Sequence, residues 1–207
     1  MKKYSYKMSE YLKRSIFSPC RDKVSLIRHL TDTMKELCYA QESKDDYDLV
    51  IIIDKFQRIF FMSENKIYSL AFPFRVIESK SNNEPHSFFA GTVLIDSFLL
   101  SNLETLIQEH FTHNNNDFYD FCESMFDTVK VNQDVWLVLR QLCLIEEGYI
   151  RYDFDPNHYD AVTHPLHHLD IFYSPGGTFK IGLDKGILYN EMIDILHPRT
   201  NCRSISV

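Results

Sequence analysis

The sequence predicts an α+β fold, a mainly antiparallel β-sheet flanked by helices with a helical pair at the N-terminus. Three observations lead there. Apolar residues recur at helical spacing before residue 40 and again between 97 and 146. Between those regions, and after residue 149, the period falls to two in runs rich in β-branched and aromatic side chains. The strands therefore cluster instead of alternating with helices, which favours α+β over α/β organisation. At 207 residues, 44% of them hydrophobic and with 16 Phe and 12 Tyr, the chain can order one domain (1–207) around an aromatic core.

Each element has its own signal. Tyr4 to Phe17 reads as a short helix, Ser18-Pro19 as a break, and Arg21 to Tyr39 as an amphipathic helix carrying Leu26, Leu30, Met34 and Leu37, so that 1–40 forms the N-terminal helical pair. Glu42 to Asp48 is an acidic, solvated loop. Residues 49–96 form a β-meander of LVIIID, RIFFM, KIYSLAFPFRVIE and FFAGTVLI, in which Pro73 demands an edge position or a bulge. Within 97–146, helical spacing returns at Phe98, Leu103, Leu106 and Ile107, at Phe118, Phe121, Cys122 and Met125, and at Val135, Leu139 and Leu142, the last helix capped by Asn132. His110 and His113 fall near a helix end as partners of its dipole, Glu146-Glu147 reads as a solvated helix exit, and Gly148 as its C-cap region. Residues 149–183 hold the strands IRYDFD, LHHLDIFY and TFKIGL, and a helix from Lys185 to His197 is closed by Pro198.

Charge and cysteine usage exclude several classes. A net charge of −7 argues against broad electrostatic capture of nucleic acid, leaving at most a local basic patch near Lys2, Lys3, Lys7, Lys13 and Arg14. The five cysteines are scattered singly, which signals neither a disulfide framework nor a thiolate zinc site and fits a reducing cytoplasm. No apolar run approaches the roughly 18 to 20 residues a membrane span requires, and no apolar segment follows the first lysines, so neither membrane association nor export is expected.

The chemistry concentrates in HPLHHLD, residues 164–170. Side chains alternate across a strand, so Arg151 and Asp153 fall on one face, opposite Ile150, Tyr152 and Phe154. His168 and Asp170 likewise lie opposite Leu169 and Ile171, and Lys180 opposite Phe179 and Ile181. The turn Ser174-Pro175-Gly176-Gly177 lets the last two strands form a hairpin, and matching apolar faces restricts the register to even sums of paired residues, which the pairing of Asp170 with Lys180 and His168 with Gly182 satisfies. With the strand from Ile150 alongside, Arg151, Asp153, His168, Asp170 and Lys180 gather on one polar surface, and the absent side chain at Gly182 leaves room beside the imidazole. His158 and His164 lie in the connecting loop, His164 extended by the following proline, and His167 points to the apolar side.

Three arrangements suit these residues. His164, His168, Asp170 and Asp153 offer the nitrogen and oxygen ligands of a divalent metal ion. A histidine can instead act as general acid or base while Lys180 or Arg151 stabilises phosphate charge. Or the charges pair across strands, Asp170 with Lys180 and Arg151 with a neighbouring carboxylate, and the imidazoles bond to loop backbone.

The tract 149–183, with RYD, HPLHHLD and TFKIGL, resembles a bacterial family of domains of unknown function in which those three motifs recur. The resemblance singles out His164, His168, Asp170, Arg151, Asp153 and Lys180, and leaves His167 at a variable position. It implies a host-defence or toxin-type setting, such as anti-phage defence or a toxin–antitoxin pair, with nucleic acid or nucleotide as target. The expected function is phosphodiester cleavage, with His168 as ligand or base, His164 and Asp170 as its companions, and Arg151 and Lys180 on phosphate. The rival expectation is a non-catalytic interaction module or accessory subunit that binds a protein partner through its aromatic-rich sheet or its N-terminal helices.

Overall fold

The computed structural model describes the chain except residues 21, 82–83, 113–131, 147, 175–176 and 201–207, with the side chains of 109–112 and 174 also outside it. The fold is α+β: five helices and ten strands are present among the described residues. The chain opens with β1 (Lys2–Tyr6), α1 (Glu10–Ile16) and α2 (Lys23–Leu37), followed by β2 (Leu49–Ile53), β3 (Gln57–Met62) and β4 (Lys66–Ala71). Three short strands come next, β5 (Arg75–Ile77), β6 (Ser87–Ala90) and β7 (Val93–Leu94), then α3 (Ser97–Thr112) and α4 (Gln133–Leu144). The last part is β8 (Tyr149–Phe154), β9 (His167–Ser174), β10 (Gly177–Leu183) and α5 (Tyr189–Leu196).

Seven strands form one antiparallel sheet in the order β1-β2-β3-β4-β8-β9-β10, and β5-β6-β7 form a small second one. Alternation in β2 distributes its residues to two apolar layers. Leu49 and Ile51 join the larger core, with Phe61, Tyr68, Tyr149 and Phe172 of the sheet and Leu30, Met34, Leu103 and Leu139 of the covering helices. Val50 and Ile52 face the other way, with Phe60, Ile67, Tyr152 and Leu169, beneath Met192 of α5. Met192 is fully buried, a contact that contributes about 1.5–3 kcal/mol to seating α5. Both faces of the sheet are thus covered, although no strand crosses over in parallel. No helix among the described residues is long and apolar enough to cross a membrane.

Two expected elements take another form. The residues from Tyr4 onward do not begin a helix: Lys2–Tyr6 is an edge strand, pairing Tyr4 with Ile51, and the helix starts only after Ser9, whose hydroxyl caps it by accepting from Leu12 N–H. Tyr4 and Tyr6 alternate with Lys3 and Ser5, a period of two, and both tyrosines sink into the larger core. The 49–96 meander is two sheets. Pro73 neither bulges a strand nor sits on an edge; it ends β4 and turns the chain into the small sheet, and Phe72 and Phe74 on either side are buried in edge-to-face contact.

Other expectations are met more closely. Asn132 caps α4 by accepting from Asp134 and Val135 N–H, and Asp22 caps α2. The helix expected around Phe118 to Met125 lies outside the described residues, as do His113 and the His110 side chain. Glu146 is no idle exit residue: it pairs with Arg58 at 2.7 Å and accepts from Ala71 N–H. Gly148 is not a helix cap. It lies against β9 so closely that a Cβ there would stand 1.6 Å from the Phe172 carbonyl oxygen.

That approach yields a paired expectation. Gly148→Ala forces two strands apart and costs about 3 kcal/mol or more. Gly177→Ala, where no atom lies within 4 Å of the new Cβ, stays within about 0.5 kcal/mol of the parent. Urea unfolding of the two variants reads the difference.

Candidate functional site

Strand pairing brings the charged residues together. Arg151 stands opposite Asp170 and Asp153 opposite His168 between β8 and β9; Asp170 stands opposite Lys180 and His168 opposite Gly182 between β9 and β10. The face they share is not an open surface. Tyr149 and Phe172, on the same side of the same strands, stack at 5.5 Å inside the larger core, so the charges border that core. Asp153, His168 and Asp170 are 4%, 0% and 6% exposed, while Lys180 at the sheet edge is exposed.

Arg151 binds this border together. Its Nε and Nη2 donate to the two oxygens of Asp153, each at 2.7 Å, and Nη2 also donates to Asp170 Oδ2 at 3.0 Å. The guanidinium expected on phosphate is therefore committed to two buried carboxylates. Asp170 pairs with Arg151 instead of Lys180, and its Oδ1 is buried without a hydrogen-bond partner. Both residues tie β8 to β9.

His168 is held on both sides. Its Nδ1 donates to Pro165 O at 2.8 Å, which leaves Nε2 as an acceptor 3.4 Å from Lys180 Nζ. Burial holds its pKa below the ordinary value, and the nearby Lys180 ammonium acts in the same sense against the bond to Pro165. The room expected beside it is filled, because a Cβ on Gly182 would lie 3.0 Å from Pro165 Cγ. His167, as expected, lies on the other face, stacked on Phe154 and bonded to the Tyr152 hydroxyl at 2.8 Å.

The accessible part of the cluster is the loop between β8 and β9. Two tight turns order it: Asp155 accepts from His158 N–H, and Asp160 accepts from Val162 and Thr163 N–H, while a two-way backbone bridge joins Asp160 to His164. Asp155 Oδ2 then takes His158 Nδ1 at 3.0 Å and His164 Nε2 at 3.2 Å. Burial acts to raise the Asp155 carboxyl, but its bonds from the His158 ring and backbone outweigh that and hold it below the usual range. His164 rests edge-on against His168, ring centres 4.7 Å apart. Lys180 Nζ lies 3.2 and 3.4 Å from the two ring nitrogens of His164, nearly equidistant, and so sits against the face of the imidazole.

This geometry bears directly on a metal. The expected set was His164, His168, Asp170 and Asp153, yet among the described residues no group of three or more His, Cys, Asp or Glu is arranged to hold an ion. Both carboxylates belong to Arg151, His168 Nδ1 belongs to Pro165, and the cation in contact with the two imidazoles is Lys180. Asp155 and His158 are the functional candidates that the sequence reading missed. Asp-Pro-Asn-His is an Asx-turn pattern, and that turn aims both side chains back at His164. Comparison of the chain with protein-family models, with curated proteins and with solved structures returned no match.

Two outcomes test the buried half of the cluster. Arg151→Ala strands Asp153 and Asp170 in the interior and costs about 3–5 kcal/mol in denaturant unfolding. A second test uses pH. The unfolded chain takes up a proton at His168 near pH 6.5 that the folded chain resists, so the stability this residue contributes is full above about pH 6.5 and falls below it. His29, whose pKa burial pushes down to about 4, acts in the same direction. Between about pH 7.5 and 5.5 the Tm of the wild type should therefore drop further than that of His168→Gln, which keeps only the His29 share.

Proposed function

We propose that the β8–β9 loop and the edge of β10 form an acid–base site for phosphodiester cleavage in nucleic acid or a nucleotide. One observation carries the reading: two imidazoles hang from one ionised carboxylate beside an exposed ammonium. Asp155 holds His158 by Nδ1 and His164 by Nε2, so the nitrogens turned away from it are Nε2 of His158 and Nδ1 of His164, the latter 3.2 Å from Lys180 Nζ. An imidazole held in this way can pass a proton at its second nitrogen, and Asp155 fixes which nitrogen that is. Lys180 supplies the positive charge that a phosphoryl transition state requires. His168, buried and neutral, positions His164 and Lys180. Arg151, Asp153 and Asp170 hold the strands on which they stand.

This assignment narrows the expected site. His164 and Lys180 are kept, His168 becomes a positioning residue, Asp155 and His158 are added, and the metal ion is given up. A defence or toxin role in the bacterial cytoplasm, the setting that the resemblance implies, is consistent with such chemistry.

A second reading has an observation of its own. Tyr173 and Phe179 are 77% and 53% exposed on the α5 side of the sheet, as an interaction module would present them to a protein partner.

Cleavage of a phosphodiester such as bis(p-nitrophenyl) phosphate and of mixed oligonucleotides separates the two readings. His164→Ala should lower kcat about 10²- to 10⁴-fold at unchanged Tm, and Lys180→Ala should follow it. A folded His164→Ala variant as active as the wild type ends the acid–base reading; a wild type that cleaves neither substrate leaves the module, whose capture of a protein partner Tyr173→Ala and Phe179→Ala should weaken.

A further inference from the structure

We infer that the substrate of this site is single-stranded RNA, cleaved by attack of its own 2′-hydroxyl. The inference rests on the acid–base reading above and adds the identity of the nucleophile. Phosphodiester cleavage needs an activated oxygen opposite the leaving oxygen. The described side chains here offer proton transfer and one positive charge, and the hydroxyl beside His164 in the chain, Thr163 Oγ1, is engaged with Asp160 at 2.8 Å. Two imidazoles and an ammonium are sufficient when the nucleophile is already attached to the substrate, since the reaction is then intramolecular and gains the advantage of proximity.

The spacing suits that reaction. An acid and a base on either side of a phosphorane stand roughly 6 to 8 Å apart, the span of its two axial oxygens with a hydrogen bond at each end. The rings of His158 and His164 have centres 6.1 Å apart at an interplanar angle of 46°, and because their inward nitrogens converge on Asp155 Oδ2 the outward nitrogens stand farther apart than the centres. One imidazole, neutral at its outward nitrogen, takes the proton of the 2′-hydroxyl while the 2′-oxygen bonds to phosphorus. The other, protonated at its outward nitrogen, gives its proton to the 5′-oxygen as the bond from phosphorus to that oxygen breaks. The products are a 2′,3′-cyclic phosphate and a 5′-hydroxyl; no water is consumed, and the pair of histidines ends with its protonation exchanged. Lys180 Nζ, against the His164 ring, lies where a non-bridging oxygen gathers charge.

The surroundings select the strand type. His158 is 75% exposed, so the site is open to a strand that can bend around it. A duplex holds the 2′-oxygen away from the line of the leaving oxygen, and a flexible single strand can reach that line. Tyr159, next to His158 and 57% exposed, offers a ring on which an unpaired base can stack. The chain's net charge of −7 disfavours long-range capture of any nucleic-acid strand, leaving recognition to contacts at one linkage.

The test uses the full chain and a short, end-labelled oligoribonucleotide in which one linkage carries a 2′-deoxyribose. Cleavage is expected at every accessible linkage except that one, with cyclic phosphate ends and no uptake of isotope from labelled water in the first product. His158→Ala, at an exposed position that leaves folding intact, should lose about 10²-fold in rate and one limb of a bell-shaped pH profile. Cleavage at the deoxy linkage with isotope uptake overturns the RNA inference and leaves phosphodiester hydrolysis standing. Failure to cleave RNA, DNA and bis(p-nitrophenyl) phosphate alike overturns both.

Discussion

The structure depends on one shared guanidinium. Arg151 enters the border of the larger core only because Asp153 and Asp170 take its donors at 2.7 to 3.0 Å. Neither carboxylate could be buried there without it. The pairing sets β8 against β9 in a single register, since a slip of β8 by one residue would turn Arg151 and Asp153 to the α5 side of the sheet and leave Asp170 on the other. The loop that joins these strands leaves the sheet immediately after that register is set. Asp155, His158 and His164 are therefore carried to their places by an ion pair that takes no part in their chemistry.

Much of the last third of the fold was legible in the sequence, because alternation in IRYDFD, LHHLDIFY and TFKIGL admits few registers. The pairs Asp170 with Lys180 and His168 with Gly182 occur, one of the registers that parity allows. Parity says which residues share a face, but not what covers it. Arg151, Asp153 and Asp170 lie beside Tyr149 and Phe172 in a layer closed by helices far away in the chain, and that closure changes a polar surface into a buried network. Lys2 to Tyr6 shows the converse: two tyrosines two residues apart indicated a strand, and the helical signal of the following segment masked them.

The site itself was half legible. His164 and Lys180 were visible as residue types in a suggestive tract, yet their partner Asp155 reads in sequence as one more acidic residue on a strand. Only the turn it makes with His158 draws the carboxylate out of the strand pattern and between two imidazoles. The same folding brings Pro165 over Gly182, so a gap that alternation alone left open is closed by a ring from the loop. Local turn chemistry decides here what periodicity cannot.

Lys180 also occupies the outermost strand of the large sheet among the described residues, with Phe179 exposed beside it. A bare strand margin with an aromatic side chain invites stacking by other chains, and a charged side chain at that margin is the usual safeguard against it. The lysine is tied to solubility as well as to the imidazoles, so selection for either one constrains the other. A substitution that removes the charge therefore loses both the contacts to the two imidazoles and the guard at the margin.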